Sequence, residues 1–595
     1  MKLLALASTL SAVLFVSPII SKPVFADSQP TLAVSQAQSQ LHQLLDEVWQ
    51  YELSQFPGLA RSKGVKTDVP FTDISPAALS TRNAKFKSFL SKLAQIDEQS
   101  LPSSDRISLL MQQYRLNNYV SQYEFKEYRV PITSEYGFHN SIANVPGSVN
   151  ISDQASFDKY LNTLRAIPAQ FAQQIAYMKE GMEVGQVQPK AVLDGFEDAL
   201  VSYIDKDISK SPFFKPFENL SEDLDNAANN TQLVTAVTGV TNAYQSFYDF
   251  LVKEYIPLAK DDISVKTWPK GEAFYQNRMK HYTTTDLSAK QIHEIGLKEV
   301  ARIRSEMQTI VDELKFDGDI NDFIQFLRTD PQFYAQTPED LIIVASYISK
   351  KMDAQLPKLF KKLPRTPYGV APVPDAIAPK YTTGRYISPR RDDQPGYYWV
   401  NTYALDKRPL YALPALTLHE AVPGHHLQIS LAAEMEDLPE VRRSTYISAF
   451  GEGWGLYSEY LGLEVGIYDD PYDNFGRLSY EMWRACRLVV DTGMHMFGWS
   501  RQKALDYMLE NTALSEHNVR TEIDRYISWP AQALSYKIGE IKIKELRALA
   551  EQELGKHFDL RDFHDALLAN GSVPLFVLEE NMQQFIADVK ETHGI

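Results

Sequence analysis

Cysteine is almost missing from this chain: Cys486 is the only one in 595 residues. No intrachain disulfide can form, and cysteine-rich metal sites are excluded, which leaves His and carboxylates as the available ligand types. Positive charge is also scarce. Lys and Arg number 60 against 76 Asp and Glu, for a formal charge of -16, so the basic footprint that a nucleic-acid partner demands is missing. There is no low-complexity tract and no internal repeat at solenoid periods, which excludes disordered and repeat architectures.

Long apolar runs are missing too, with one exception. Leu3 to Ile20 follows Met1-Lys2 and precedes Ser21-Lys22-Pro23-Val24-Phe25-Ala26, the pattern of a charged n-region, an h-region and a small residue at a cleavage point. Residues 1–26 are expected to be a removed signal peptide, giving a periplasmic or secreted protein with no membrane span. Ser8, Thr9, Ser11, Ser17 and Pro18 break the run and argue against a retained anchor. No Cys follows it, so a lipid-anchored form would lack its attachment thiol.

The composition, 44% hydrophobic and 23% charged, is that of an ordinary globular protein. Apolar residues recur at helical spacing in Leu41-Leu44-Leu45-Val48-Trp49, in Phe89-Leu90-Leu93-Ile96 and in Ile292-Ile295-Val300-Ile303-Met307, predicting a mainly α fold. Ser288 followed by Gln291 predicts a capped helix start. The length suggests two lobes sharing a cleft, divided near residue 265 into an N-terminal helical region, 27–265, and a catalytic region, 266–595. One strand is predicted over Tyr397 to Thr402, after the Pro395-Gly396 turn signal. The Pro-rich stretch from Leu363 to Pro395 reads as an irregular connection.

The chemistry concentrates in Leu418-His419-Glu420-Ala421-Val422-Pro423-Gly424-His425-His426, where three of only 12 His fall within eight residues. In a His-Glu-x-x-His helix two His four residues apart grip zinc on one face, and the Glu beside the first is the general base. Here the next His comes six residues on. A regular helix turns about 600° over six residues, leaving the side chains roughly 120° apart, and returns to within about 20° after seven. That favours His426. Pro423 and Gly424 predict a kink or bulge, however, and two looped-out residues would restore His425. Local geometry leaves both open.

The His-Glu-x-x-Pro-Gly-His pattern resembles the hallmark of the bacterial family DUF885. The resemblance extends through Phe450-Gly451-Glu452-Gly453-Trp454-Gly455, Asp491-Thr492-Gly493-Met494-His495 and Trp529-Pro530-Ala531-Gln532-Ala533-Leu534-Ser535-Tyr536-Lys537. It implies a zincin-like helical fold with a deep active-site cleft and a small β element. It further implies a Zn2+-dependent peptidase acting on peptide substrates, with His425 rather than His426 as the second ligand.

A catalytic zinc needs a third protein ligand. Glu452 is the expected one, in an arrangement that resembles gluzincins, with Gly451, Gly453 and Gly455 allowing close helix approach; Glu459, seven residues on, could instead orient a ligand His. Glu420 is then the general base. Tyr536 is expected to stabilise the developing oxyanion, with His495 as the second choice. The 397–402 strand, including Asn401, is expected to pair with an extended substrate, and Arg525 and Lys537 to meet a substrate carboxylate. Two other functions remain open: a metal-dependent amidase of a small substrate, and a non-catalytic peptide-binding protein. Glu420 argues against the latter, because a structural zinc needs no base beside it.

Overall fold

The computed structural model describes residues 35–595 apart from 376, 390 and 392; the signal peptide expected over 1–26 lies outside the described residues. The helical periodicities form helices. The first two lie in α1 (Gln36–Gln55), which buries Leu41, Leu44, Leu45 and Val48, and in α2 (Pro76–Leu93), which buries Phe89 and Leu93. Two long helices, α3 (Gln154–Val184) and α4 (Ala227–Phe250), pack together in the N-terminal region. Ser288 caps α5 (Ala289–Glu313): its hydroxyl accepts from the Gln291 amide at 3.3 Å, and the Gln291 side chain accepts from Ser288 N–H at 2.9 Å. This reciprocal pairing satisfies two amides that would otherwise be orphaned.

A three-stranded sheet interrupts the helices: β1 (Tyr368–Pro372), β2 (Gly384–Ile387) and β3 (Gly396–Val400). The order is β1-β3-β2, with β3 parallel to β1 and antiparallel to β2. Two sequence expectations change here. The stretch from 363 to 395, expected to be irregular, supplies two strands. Its prolines are tolerated because β1 and β2 are the outer strands and Pro372 sits at a strand end, where a missing N–H breaks no ladder. And β3, expected to pair with substrate, is the middle strand, so both its edges are already taken by β1 and β2.

Six further helices build the site: α6 (Leu413–Glu420), α7 (His425–Ala433), α8 (Ser448–Leu461), α9 (Pro471–Met496), α10 (Glu516–Ser528) and α11 (Ser535–Leu554). Every residue of α9 from Phe475 to His495 is buried, so this helix is the spine of the fold rather than a surface element. It runs against α5, where Gly296 meets Leu488 and Val489. Buried apolar side chains form one cluster from Leu41 to Ile586. Around the expected boundary at 265, Ser264 donates its hydroxyl to His495 O at 2.7 Å.

A close helix contact joins α8 to α11. A Cβ on Gly453 would lie 2.5 Å from the carbonyl carbon of Gly539, and one on Gly539 would lie 1.9 Å from Ala449 O. No side chain fits between the two backbones. Gly453→Val is therefore expected to destabilise the protein by on the order of 1–3 kcal/mol, as overpacking does; a thermal or urea midpoint unchanged from wild type would contradict this packing.

Candidate metal centre

The break between α6 and α7 decides which His is presented. Gly424 N–H donates to Leu418 O at 3.0 Å, a bond that residue 422 would make in an unbroken helix, where each amide reaches back four residues. Two residues are looped out, and His425 occupies the position four after His419. Gly424 is required: a Cβ there would stand 1.9 Å from His419 O. The loop is pinned from α8, where Trp454 Nε1–H donates to Pro423 O at 2.8 Å. His426 turns the other way. Its Nδ1 meets Tyr386 Oη at 3.1 Å and Ser430 Oγ at 3.3 Å, and its ring lies 4.6 Å from that of Tyr368. Burial pushes its pKa down to about 4.

His419, Glu420 and His425 bring ligand atoms within 4.8 Å of one another. From α8, Glu452 Oε2 stands 3.5 Å from His419 Nε2 and 3.4 Å from His425 Nε2. Donors bonded at about 2.0–2.2 Å in a tetrahedron lie about 3.3–3.6 Å apart, so Glu452 Oε2 stands at the spacing of a zinc-ligand pair from each of the two His nitrogens. Glu420 belongs to the same group, but its Oε2 accepts from Tyr386 N–H on β2 at 2.8 Å. That bond ties it to the sheet edge and makes Glu452 the better third ligand.

Behind the first His, Glu459 Oε1 lies 2.8 Å from His419 Nδ1. A carboxylate has no proton to give, so Nδ1 donates and Nε2 is the nitrogen that faces the group. Glu459 is 1% exposed, with Arg484 Nη2 3.6 Å away. Gly455 lets α8 come this near, since a Cβ there would lie 2.7 Å from the His419 ring. Burial disfavours a charged His419, but the bonds to Glu452 and Glu459 and the Glu420 charge outweigh it and lift the pKa to about 9. For Glu452, burial works to raise the pKa, yet His425 and His419 hold it well below the carboxylate range. The arrangement demands positive charge at its centre, met by a proton or by a cation.

Tyr536, in the first turn of α11, stacks 6.4 Å from the His419 ring at 23°, and the Arg487 guanidinium lies 4.3 Å from its centroid. Tyr446 joins the site without having been expected. Its hydroxyl donates to Glu452 Oε1 at 3.1 Å, and its ring covers Gly451, where a Cβ would be 2.4 Å away. The one available sign was that glycine, which pointed to a helix neighbour rather than a ring. Tyr446 is 47% exposed, yet desolvation raises its phenol well above the usual range. Accessible surface together with desolvation marks a side chain lining a concave recess.

Four expected site residues have other partners. His495, expected as an alternative oxyanion donor, is fully buried with both ring nitrogens on backbone: Nε2 on Tyr526 O at 3.0 Å and Nδ1 facing Val265 N–H at 3.4 Å. Asn401 lies beyond the end of β3 and staples a loop, donating from Nδ2 to the carbonyls of Ala378, Tyr381 and Thr382. Lys537 is 1% exposed and enclosed by Glu299, Glu481 and Glu540 at 3.0, 2.7 and 2.5 Å. Arg525 is clamped to Glu522 and Gln532. The motifs around 491 and 531 hold each other: Asp491 accepts from Tyr275 Oη–H at 2.5 Å and from Ala531 N–H at 3.2 Å, fixing Ala531 at a φ of 68° just before α11.

Residues 57–582 match the family described as bacterial protein of unknown function, DUF885. The chain belongs to DUF885. A solved structure of a candidate lipoprotein from Colwellia psychrerythraea is 28% identical with a TM-score of 0.83, covering 93% of this chain and 100% of its own. A second, a candidate lipoprotein of unknown function from Shewanella oneidensis, is 21% identical with a TM-score of 0.73, covering 92% and 100%. The fold is thus shared over almost the whole chain. The search of curated proteins found no match. Among the described residues no helix is long and apolar enough to cross a membrane.

The geometry separates the two neighbouring His. His425→Ala is expected to lose Zn2+ binding and His426→Ala to retain it, measured by calorimetric titration of the metal-free protein; loss only in His426→Ala would contradict the looped-out register. Since the deprotonated imidazole is the ligand, the raised His419 pKa predicts release of close to one proton on Zn2+ uptake at pH 7, declining as pH rises through about 9. Binding heats independent of buffer ionisation enthalpy would contradict it.

Proposed function

We propose that this DUF885 protein is a zinc-dependent peptidase acting outside the cytoplasm. The observation that carries the reading is that Glu452 Oε2 stands 3.5 Å from His419 Nε2 and 3.4 Å from His425 Nε2, with a second carboxylate, Glu420, beside them. Two imidazoles and a carboxylate suit zinc, and three protein ligands leave a position for water or substrate. Zn2+ bound there supplies Lewis-acid activation of a water and of the scissile carbonyl.

The chain's own residues supply the rest. Glu420, oriented by the Tyr386 N–H, accepts a proton from the attacking water and passes it to the leaving amine. Glu459 holds the His419 ring in the tautomer that presents Nε2, and Tyr446 holds Glu452 through the oxygen that faces away from the two rings. Tyr536, half-buried and stacked on His419, is the hydroxyl placed to donate to a developing oxyanion. The outer strand β2 lies beside Glu420, which favours an extended peptide over a compact small molecule.

A peptide-library digest read by mass spectrometry tests the activity, and Glu420→Gln tests the mechanism. The variant is expected to keep its zinc and lose about 10²–10⁴-fold in turnover. Wild-type turnover in that variant would remove Glu420 from the mechanism, and an undigested library would overturn the peptidase reading.

A further inference from the structure

Of the cations around the recess, Lys537 is enclosed by three carboxylates and Arg525 is clamped by Glu522. Arg487 donates to Tyr526 Oη and Glu522, flat between the rings of Trp483 and Tyr536. Arg385 differs. It makes no ion pair among the described residues; its partners are the Tyr136 hydroxyl, 3.4 Å from Nη1, and the Tyr381 ring, 5.6 Å from the guanidinium. Glu135, on the same loop as Tyr136, feels the Arg385 charge but stands beyond ion-pair distance of it.

The position of Arg385 is set by the strand. Tyr386 donates its N–H to the Glu420 carboxylate and sends its side chain to His426. Successive strand residues face opposite sides, so Arg385 stands one residue from the amide that holds the base and projects from the other face of β2, toward the 132–137 loop. That loop is fixed by Thr133 N–H on Tyr136 O at 2.7 Å and Ser134 N–H on Ser528 Oγ at 3.0 Å. Arg385 is exposed and feels the Glu420 charge. It is a guanidinium beside the base, flanked by phenols, with its fork of donors unused by any carboxylate.

We propose that Arg385 binds a carboxylate of the substrate, so that the enzyme prefers peptides carrying one within a residue or two of the scissile bond. The inference rests on the peptidase reading and narrows its substrate class. A planar guanidinium with free donors grips a carboxylate through two parallel hydrogen bonds, and one long bond to a phenol is a weak competitor. The shared chemistry is the carboxylate; its source is either the free C-terminus of a short peptide or an Asp or Glu side chain.

Binding and cleavage of a matched peptide set test this. One member has a free C-terminus, one is C-terminally amidated and otherwise neutral, and others are amidated with Glu placed at each position in turn. Affinities are measured on the zinc-loaded Glu420→Gln protein, which cannot turn the peptides over, and kcat/KM on the active enzyme. A carboxylate-bearing peptide is expected to bind roughly ten- to a hundredfold more tightly than the neutral amide, the range of one charge-assisted contact. That preference is expected to collapse toward unity in Glu420→Gln/Arg385→Gln and to return in part with Lys at 385. Preference for the free C-terminus alone identifies an exopeptidase; preference for internal Glu identifies an acidic subsite. Equal affinity for acidic and neutral peptides, or a preference that survives Arg385→Gln, overturns the inference. Carboxylate-selective binding without cleavage of any peptide would instead overturn the peptidase reading and leave Arg385 in its role.

Discussion

The Gly424 amide reaches back past two extra residues to the Leu418 carbonyl, and the register of the metal centre follows from that bond. It returns His425 to the face of His419, sends His426 to the sheet, and frees the Pro423 carbonyl for Trp454. Through Trp454 the loop fixes α8, and through α8 it fixes Glu452 and Glu459, one on each side of the His419 ring. A single backbone hydrogen bond of this kind contributes about 1 kcal/mol net. Its weight comes from position, because His419, Glu420 and His425 are all presented by the few residues on either side of it.

Charge is the second organising constraint. The spine helix α9 carries Arg477, Glu481, Arg484, Arg487 and Asp491 in its buried length, and each needs a partner, since an unpaired buried charge costs several kcal/mol. Arg477 pairs with Glu481 within the helix, and the other partners come from different elements. Glu481 meets Arg302 of α5 and Lys537 of α11, Arg484 reaches Glu459 of α8, Arg487 pairs with Glu522 of α10, and Asp491 takes the Ala531 amide. The polar residues that cluster downstream of the His are therefore mostly internal struts. Their spacing resembles a functional motif because a buried ion pair constrains residue type as strictly as catalysis does.

This explains which parts were legible in the sequence. Helices were readable because burial of one face leaves a period, as in α5 from Ile292 to Met307. The sheet was only one-third readable: β3 is rich in aromatic and β-branched residues after a Pro-Gly turn signal, while β1 and β2 lie in a Pro-rich stretch whose pairing is fixed by β3 rather than by local preference. At the site, His419, Glu420 and Glu452 come together as their types suggested, and the looped-out pair could be inferred from Pro423-Gly424 but not distinguished from a continuous helix. Lys537, Arg525, Asn401 and His495 were expected at the site because they sit in or near motif-like stretches, and sequence cannot say whether a charge's partner is inside or outside the molecule. Tyr446 and Arg385 went unremarked for the converse reason. They lie in unremarkable local sequence and reach the site through a strand and a helix entry that only tertiary structure defines.

The 132–137 loop carries Tyr136 from the N-terminal region to Arg385 on β2, while Tyr536 reaches the His419 ring from near the C-terminus. The residues lining one recess thus come from positions some four hundred apart in the chain. Contacts of such sequence separation close long loops, at a cost that grows only slowly with length, and contacts of this kind slow folding. A chain that ends short of α11 accordingly carries His419 and Glu420 without Tyr536 beside them, and the candidate site is assembled only from a nearly full-length chain.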